Sequence, residues 1–235
     1  MKEDKKMDLI FNISSLNSEK EKFTTSKKDI LKYLKIIGVD TRFISYTPDK
    51  IYINNLRFSK FSRKRESIFK KQYSEMDVIR NSLFQKICLK SSKILSEQIK
   101  PNSTILIPKS NHLINLLLEP YTRKYGVRLV YEGEYDLIVN PVNLDDKVND
   151  IFENIFNGEG IDFTKNNDEI YPLMNVPLEW INSFLKMDGE EIIKKENTNE
   201  IANSFSEFLD DVAPQYRENV IKASEYIEKK LEIEK

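Results

Sequence analysis

Thr104-Ile-Leu-Ile107, Pro108-Lys-Ser-Asn111, His112-Leu-Ile-Asn-Leu-Leu-Leu118: these three consecutive pieces decide the fold. The first is an apolar run of the length a buried strand needs. The second interrupts it with a proline and three polar residues. The third is leucine-rich and predicts a buried helix. Moving outward, Val127–Tyr131 and Leu137–Asn140 are two more short apolar runs. Asn143-Leu-Asp-Asp146 then opens a segment with Val148, Ile151, Phe152, Ile155 and Phe156 at i, i+3, i+4, i+7 and i+8. That spacing puts all five on one helical face. Strands alternating with helices predict parallel pairing, so the expected class is α/β with a sheet covered on both faces.

On the N-terminal side, Met76 to Gln98 reads as one long amphipathic helix, ended by Pro101-Asn102. Ile30, Leu31, Leu34 and Ile37 predict a helix that Gly38 stops. Thr41–Tyr46 and Lys50–Asn54 flank Thr47-Pro-Asp49 and predict a hairpin. The first 55 residues therefore read as a small α+β unit, 56–75 as a linker, and 76–235 as the main domain. Beyond Gly158 the chain has an extended Tyr171–Pro177 segment and helices over Leu178–Met187, Ile201–Val212 and Arg217–Leu231. Asp188-Gly-Glu-Glu191 reads as a solvated acidic loop.

The expected linker has an unusual composition. Arg57, Lys60, Arg63, Lys64, Arg65, Lys70 and Lys71 share it with Phe58, Phe61, Phe69 and Tyr73, against one acid, Glu66. Cations neutralise phosphate and aromatic faces accept unstacked bases, so this mixture suits RNA. The alternative is a solvated helix face whose aromatics fill the core.

The totals bound the chemistry. The 235 residues carry a net charge of −1, so no long-range field draws in nucleic acid and any attraction is local. One cysteine, Cys88, excludes a disulfide framework and a cysteine-ligated cluster built from this chain alone. It reads as core. One histidine, His112, leaves a histidine-rich metal centre untenable. His112 itself is either a satisfied, partly buried side chain or a ligand or acid–base group. No apolar run approaches the ~20 residues of a membrane span. The expectation is a cytoplasmic protein with no membrane partner.

The segment Leu137-Ile-Val-Asn-Pro-Val-Asn-Leu-Asp-Asp-Lys-Val-Asn-Asp-Ile-Phe-Glu-Asn-Ile-Phe-Asn-Gly158 resembles the strand–turn–helix of the PP-loop ATP pyrophosphatases, in their tRNA 2-thiolation branch. That branch carries Gly-His-Asn-Leu-Asp-Asp-Glu-Ala here. Asn143, Leu144, Asp145 and Asp146 match, and Pro141-Val142 replaces Gly-His. The Ile170–Trp180 segment, Phe205–Asp210 and Tyr226-Ile227 are similar to later parts of the same family. The resemblance covers roughly residues 76 to 230. It implies a PP-loop domain of the adenine nucleotide alpha hydrolase-like class, beside the small N-terminal α+β unit read from residues 1–55 themselves.

The departures are as informative. The family's phosphate loop is Ser-Gly-Gly-Lys-Asp-Ser, in which glycines let backbone N–H groups approach phosphate. The corresponding turn here is Pro108, Lys109, Ser110, Asn111 and His112, with no glycine and one N–H removed by proline. The family's catalytic and zinc-binding cysteines have no counterpart at Cys88. The resemblance then implies a pseudoenzyme like the non-catalytic subunit of the eukaryotic complex, with no catalytic residues, metal or cofactor. Its partners would be a catalytic thiolation homologue and tRNA. Asp145 and Asp146 are either a helix anchor or an inherited metal or substrate contact. Two rival readings stand beside it: an active ATP-dependent tRNA-modifying enzyme with a remodelled loop, and a stand-alone RNA-binding protein.

Overall fold

The computed structural model describes residues 26–108, 111–159, 168–194, 200–213 and 215–233. Residues 34–235 form one compact unit, and 26–33 belong to an N-terminal unit. Helix α1 runs over Lys27–Ile36.

Strands β1 (Ile44–Tyr46) and β2 (Lys50–Ile53) make the expected hairpin, with Ser45 opposite Tyr52. Thr41–Phe43 is a 3-10 turn rather than strand, because Asp40 caps it by accepting the Arg42 N–H. The expected linker is instead a helical crossover. After β2 come α2 (Leu56–Ser59) and α3 (Arg63–Gln72), and the chain returns as β3 (Asp77–Ile79), parallel to β2. Phe61 and Phe69 are the reason. Both are fully buried and meet edge to face at 6.0 Å. β3 also takes the first residues of the long helix expected from Met76. The helix proper is α4 (Ser82–Gln98), capped by Asn81.

The main sheet has the order β5-β4-β6-β7, all parallel, confirming the α/β class. Its strands are β4 (Thr104–Leu106), β5 (Arg128–Val130), β6 (Leu137–Val139) and β7 (Glu169–Ile170). Between them lie α5 (His112–Leu118), α6 (Tyr121–Lys124) and α7 (Leu144–Asn157). The helices α8 (Leu178–Asp188), α9 (Glu200–Val212) and α10 (Tyr216–Ile233) follow. Residues 172–175, expected as extended, form a turn. Asparagine supplies most of the N-caps: Asn55, Asn81, Asn111 and Asn143 each accept an N–H from the first turn of the helix that follows.

The hairpin does not stand apart, and the boundary expected near residue 55 is absent from the packing. Tyr52 of β2 lies in the same core as Phe84, Ile105, Leu113 and Phe184. Arg123 also clamps β1 to α5 and α6. It donates to the Thr41 and Ile44 carbonyls at 2.8 and 2.7 Å and pairs with Glu119, which in turn accepts the Tyr46 N–H at 3.1 Å. A second cluster, with Val148, Ile151, Phe152 and Tyr216, joins α7 to α9 and α10.

Candidate functional site

In an open parallel sheet, ligands bind beyond the carboxyl ends of the strands where the strand order reverses. Here the chain leaves β4 for β5 on one side, then crosses back to β6 on the other. The reversal lies between β4 and β6. The turn after β4 leads to α5, and the turn after β6 leads to α7. Of the two segments singled out from sequence, the described residues 111–112 and 143–146 stand at the starts of these two helices, at the reversal where an open sheet leaves its crevice. Lys109 and Ser110 lie outside the described residues. Asn111 caps α5, its Oδ1 accepting the Ile114 N–H at 3.1 Å.

On the α7 side the motif is tied into structure. Asn143 is buried, and its Oδ1 accepts from Asp145 N and Asp146 N at 3.0 and 3.1 Å. Its Nδ2 donates to the Asp146 carboxylate. Asp145 Oδ2 accepts the Leu178 N–H at 2.6 Å, and Asp145 Oδ1 lies 2.7 Å from Arg217 Nε. The latter is an ion pair without hydrogen-bond alignment. Arg217 also grips Asp210, with Nη2 2.8 Å from Oδ2. Burial opposes the arginine's charge, yet Asp210 and Asp145 hold its pKa above the ordinary value. One carboxylate thus joins the starts of α7, α8 and α10. A cleft of about 450 Å³ lies beside them, lined by Trp180, Gln215 and Glu179. Because Asn143 satisfies two otherwise unpaired N–H groups, Asn143→Ala is expected to cost about 1–2 kcal/mol, read from a urea unfolding curve. An unchanged midpoint would mean the cap is dispensable.

On the β4 side, the acidic loop expected over Asp188–Glu191 is exposed at Gly189, Glu190 and Glu191, but Asp188 is not solvated. Asp188 ends α8, and Gly189 at φ +83° reverses the chain, letting Glu190 N donate back to Leu185 O at 2.9 Å. The Asp188 side chain is 8% exposed. It accepts from Tyr52 Oη at 2.8 and 2.7 Å and from Lys50 Nζ at 3.2 Å, and meets His112 Nε2 at 2.6 Å. Burial alone raises its pKa, but the bonds from Tyr52, Lys50 and His112 outweigh that and hold it below the usual carboxylate range. The same contact, after burial, pushes the Tyr52 phenol up. Glu190 Oε1 stands 3.7 Å from His112 Nδ1, so the imidazole lies between two carboxylates. His112, Asp188 and Glu190 each offer one metal-ligating atom within 4.8 Å of the others. Lys50 already faces Asp188 with the compensating charge, which works against a cation there. Sequence reasoning missed this cluster. Its one local sign was an acid in the last turn of a helix, where the dipole is unfavourable and a partner is required.

The basic stretch divides in two. Arg65 is half-buried, donates to the Lys60 carbonyl, and packs so closely on Gly38 that a Cβ there would stand 2.9 Å from its Nη2. Lys70 pairs with Asp77 at 3.0 Å. Arg57, Lys60, Arg63, Lys64 and Lys71 are exposed. Of these, Arg63, Lys64 and Lys71 have no partner among the described residues. Of the four aromatics, Phe61 and Phe69 are core and Tyr73 stacks on Phe69 at 5.1 Å. Phe58 alone is largely exposed. Cys88 is buried in α4, and burial pushes its thiol up, away from thiolate chemistry.

No protein-family model matches the sequence, and no curated protein matches it. Among solved structures, the U34-tRNA thiolase NcsA from Methanococcus maripaludis with its 4Fe-4S cluster aligns at a TM-score of 0.48 and 12% identity. The alignment covers 66% of this chain and 82% of that one. Nothing about the chemistry of this chain follows from that likeness. No helix among the described residues is long and apolar enough to cross a membrane.

Proposed function

We propose that this chain is a non-catalytic, tRNA-binding subunit of a wobble-uridine 2-thiolation complex, built on a PP-loop scaffold and paired with a catalytic homologue. The observation that carries the reading is the fate of Asp145. The Asn143–Asp146 motif that resembles the active family is present at the strand-order reversal, but its carboxylates are bonded to Leu178 N, Arg217 and Asn143. The facing turn has Pro108 where a phosphate cradle needs N–H groups and glycine. Arg63, Lys64 and Lys71 supply unpaired cations for a phosphate backbone.

A partner surface is supported by α9. Ile201, Phe205, Phe208 and Val212 recur at i, i+4, i+7 and i+11 and are all exposed, beside Ile155 and Phe156 of α7. A helix that is apolar on its outer face as well as its inner one is normally covered. Glu200, Glu207 and Asp211 edge this stripe, so the partner face is expected to be apolar with a basic rim. The complex should bury more than about 1,000 Å² in total.

Deleting the gene is expected to remove 2-thiouridine from the tRNA wobble position, measured by mass spectrometry of hydrolysed tRNA. Normal 2-thiouridine would overturn the assignment. The isolated protein is expected to release no AMP and pyrophosphate from ATP. Turnover that disappears in Lys109→Ala would instead establish the active-enzyme reading.

A further inference from the structure

A cavity of about 140 Å³ opens between the end of β2, α4 and α6. It lies at the C-terminal end of α5, about 10 Å along that helix from His112. It is therefore distinct from the crevice at the carboxyl edge. Three aromatic rings wall it: Phe43, Phe58 and Tyr121. Phe43 and Phe58 meet at 5.2 Å, and Phe58 stands at the mouth. Lys124 Nζ lies over the rings of Phe43 and Tyr121, 4.8 and 4.9 Å from their centroids.

The polar atoms of the lining are mostly donors. Ser91 is 1% exposed, and its Oγ has no partner. Asn55 uses its side-chain oxygen to accept the Phe58 N–H at 3.0 Å, which leaves its Nδ2 to donate. With Lys124 these make three donors, and no carboxylate lines the cavity. A buried hydroxyl without a partner is costly and marks a place where a ligand atom belongs. An adjoining groove shares Asn54, Asn55 and Leu89, adds Arg57 and Lys86, and again has no acid.

A flat ligand rich in acceptors and trailing an anion fits this arrangement. The volume is close to the roughly 150 Å³ that accommodates benzene in an engineered cavity, so one six-membered ring fits. We propose that the cavity receives an unstacked, carbonyl-bearing pyrimidine of an RNA strand, with its phosphate on Arg57 and Lys86. The rings stack on the base and the donors take its carbonyl oxygens, the usual way proteins hold single-stranded RNA. This inference rests on the RNA-binding half of the proposed function. It assigns the base to recognition, since the cavity is remote from the carboxyl edge.

The test uses the full chain, an octamer of uridylate, and uridine 5′-monophosphate. Ser91→Leu fills the cavity from within and leaves every surface charge in place. Phe58→Ala removes an exposed stacking ring. Both are expected to keep the wild-type melting profile and to bind the octamer about tenfold more weakly, with uridine 5′-monophosphate competing for the wild type. Octamer binding unchanged in both variants, but weakened by charge reversal at Arg63, Lys64 and Lys71, would overturn the cavity and leave the RNA reading standing. No octamer binding at all would overturn both. Mononucleotide binding that is lost in Ser91→Leu without competing with the octamer would assign the cavity to a free nucleotide and overturn the strand assignment.

Discussion

Replacing Asp188 by alanine is expected to lower the unfolding free energy by about 3 kcal/mol, the low end of what breaking a buried charge network costs. The low end applies because Lys50 and His112 are about a quarter exposed and water recovers part of their loss. Tyr52 is fully buried and has its phenol on Asp188 alone among the described residues, so its hydroxyl is left unpaired. At a urea slope of roughly 2 kcal/mol per molar, the midpoint should fall by about 1.5 M. Asp188→Asn keeps the shape and the bond from Tyr52 but removes the charge, and is expected to cost about half as much. The effect depends on pH in a definite direction. The carboxyl is held below its unfolded value, so its contribution is complete above about pH 4 and is lost as pH falls through the lower folded value. Wild type and Asp188→Ala should therefore converge in acid. A gap that stays constant from pH 7 to pH 3 would show that the charge of Asp188 contributes nothing to the fold.

Asp188 also shows where reading a sequence stops. The alternating strands and helices from Thr104 to Asn157 were legible, because each strand is a short apolar run and α7 repeats its apolar residues at helical spacing. β3 was not. Met76, Ile79 and Leu83 sit three and four apart, so a three-residue strand followed by a helix imitates one helix. The crossover from 56 to 72 was hidden by its charge, although Phe69 within α3 and Phe61 just before it both turn into the core. The turns after β4 and after β6 were legible too, since the strand pattern itself predicts them. Tyr52, Lys50 and Asp188 were not, because they lie far apart in sequence and meet only after the hairpin packs on α8. Of the two readings of the basic–aromatic stretch, the one that puts aromatics in the core holds for Phe61 and Phe69. Composition does not say which face a phenylalanine takes, and the fold sends two of the four inward.

Reversing the charge at Arg63, Lys64 and Lys71 together is expected to have the largest effect on tRNA affinity. All three are exposed and none has a partner among the described residues, so their substitution leaves no buried charge behind and stability should change by no more than about 0.5 kcal/mol each. Arg65 and Lys70 are poor choices for the same experiment, since one packs on Gly38 and the other pairs with Asp77. Each phosphate contact contributes roughly 0.7–0.9 to the slope of log affinity against log salt. Losing three should flatten that slope by about 2–2.7, with the greatest loss of affinity at low salt, where released counterions count most. The comparison that decides is with Arg65→Glu and Lys70→Glu: these should perturb the fold more and the salt slope less. If the triple variant bound tRNA with the wild-type salt slope, the outer face of α3 would be a solvated surface only. The phosphate contacts would then have to be sought at Arg57 and Lys86, beside the cavity.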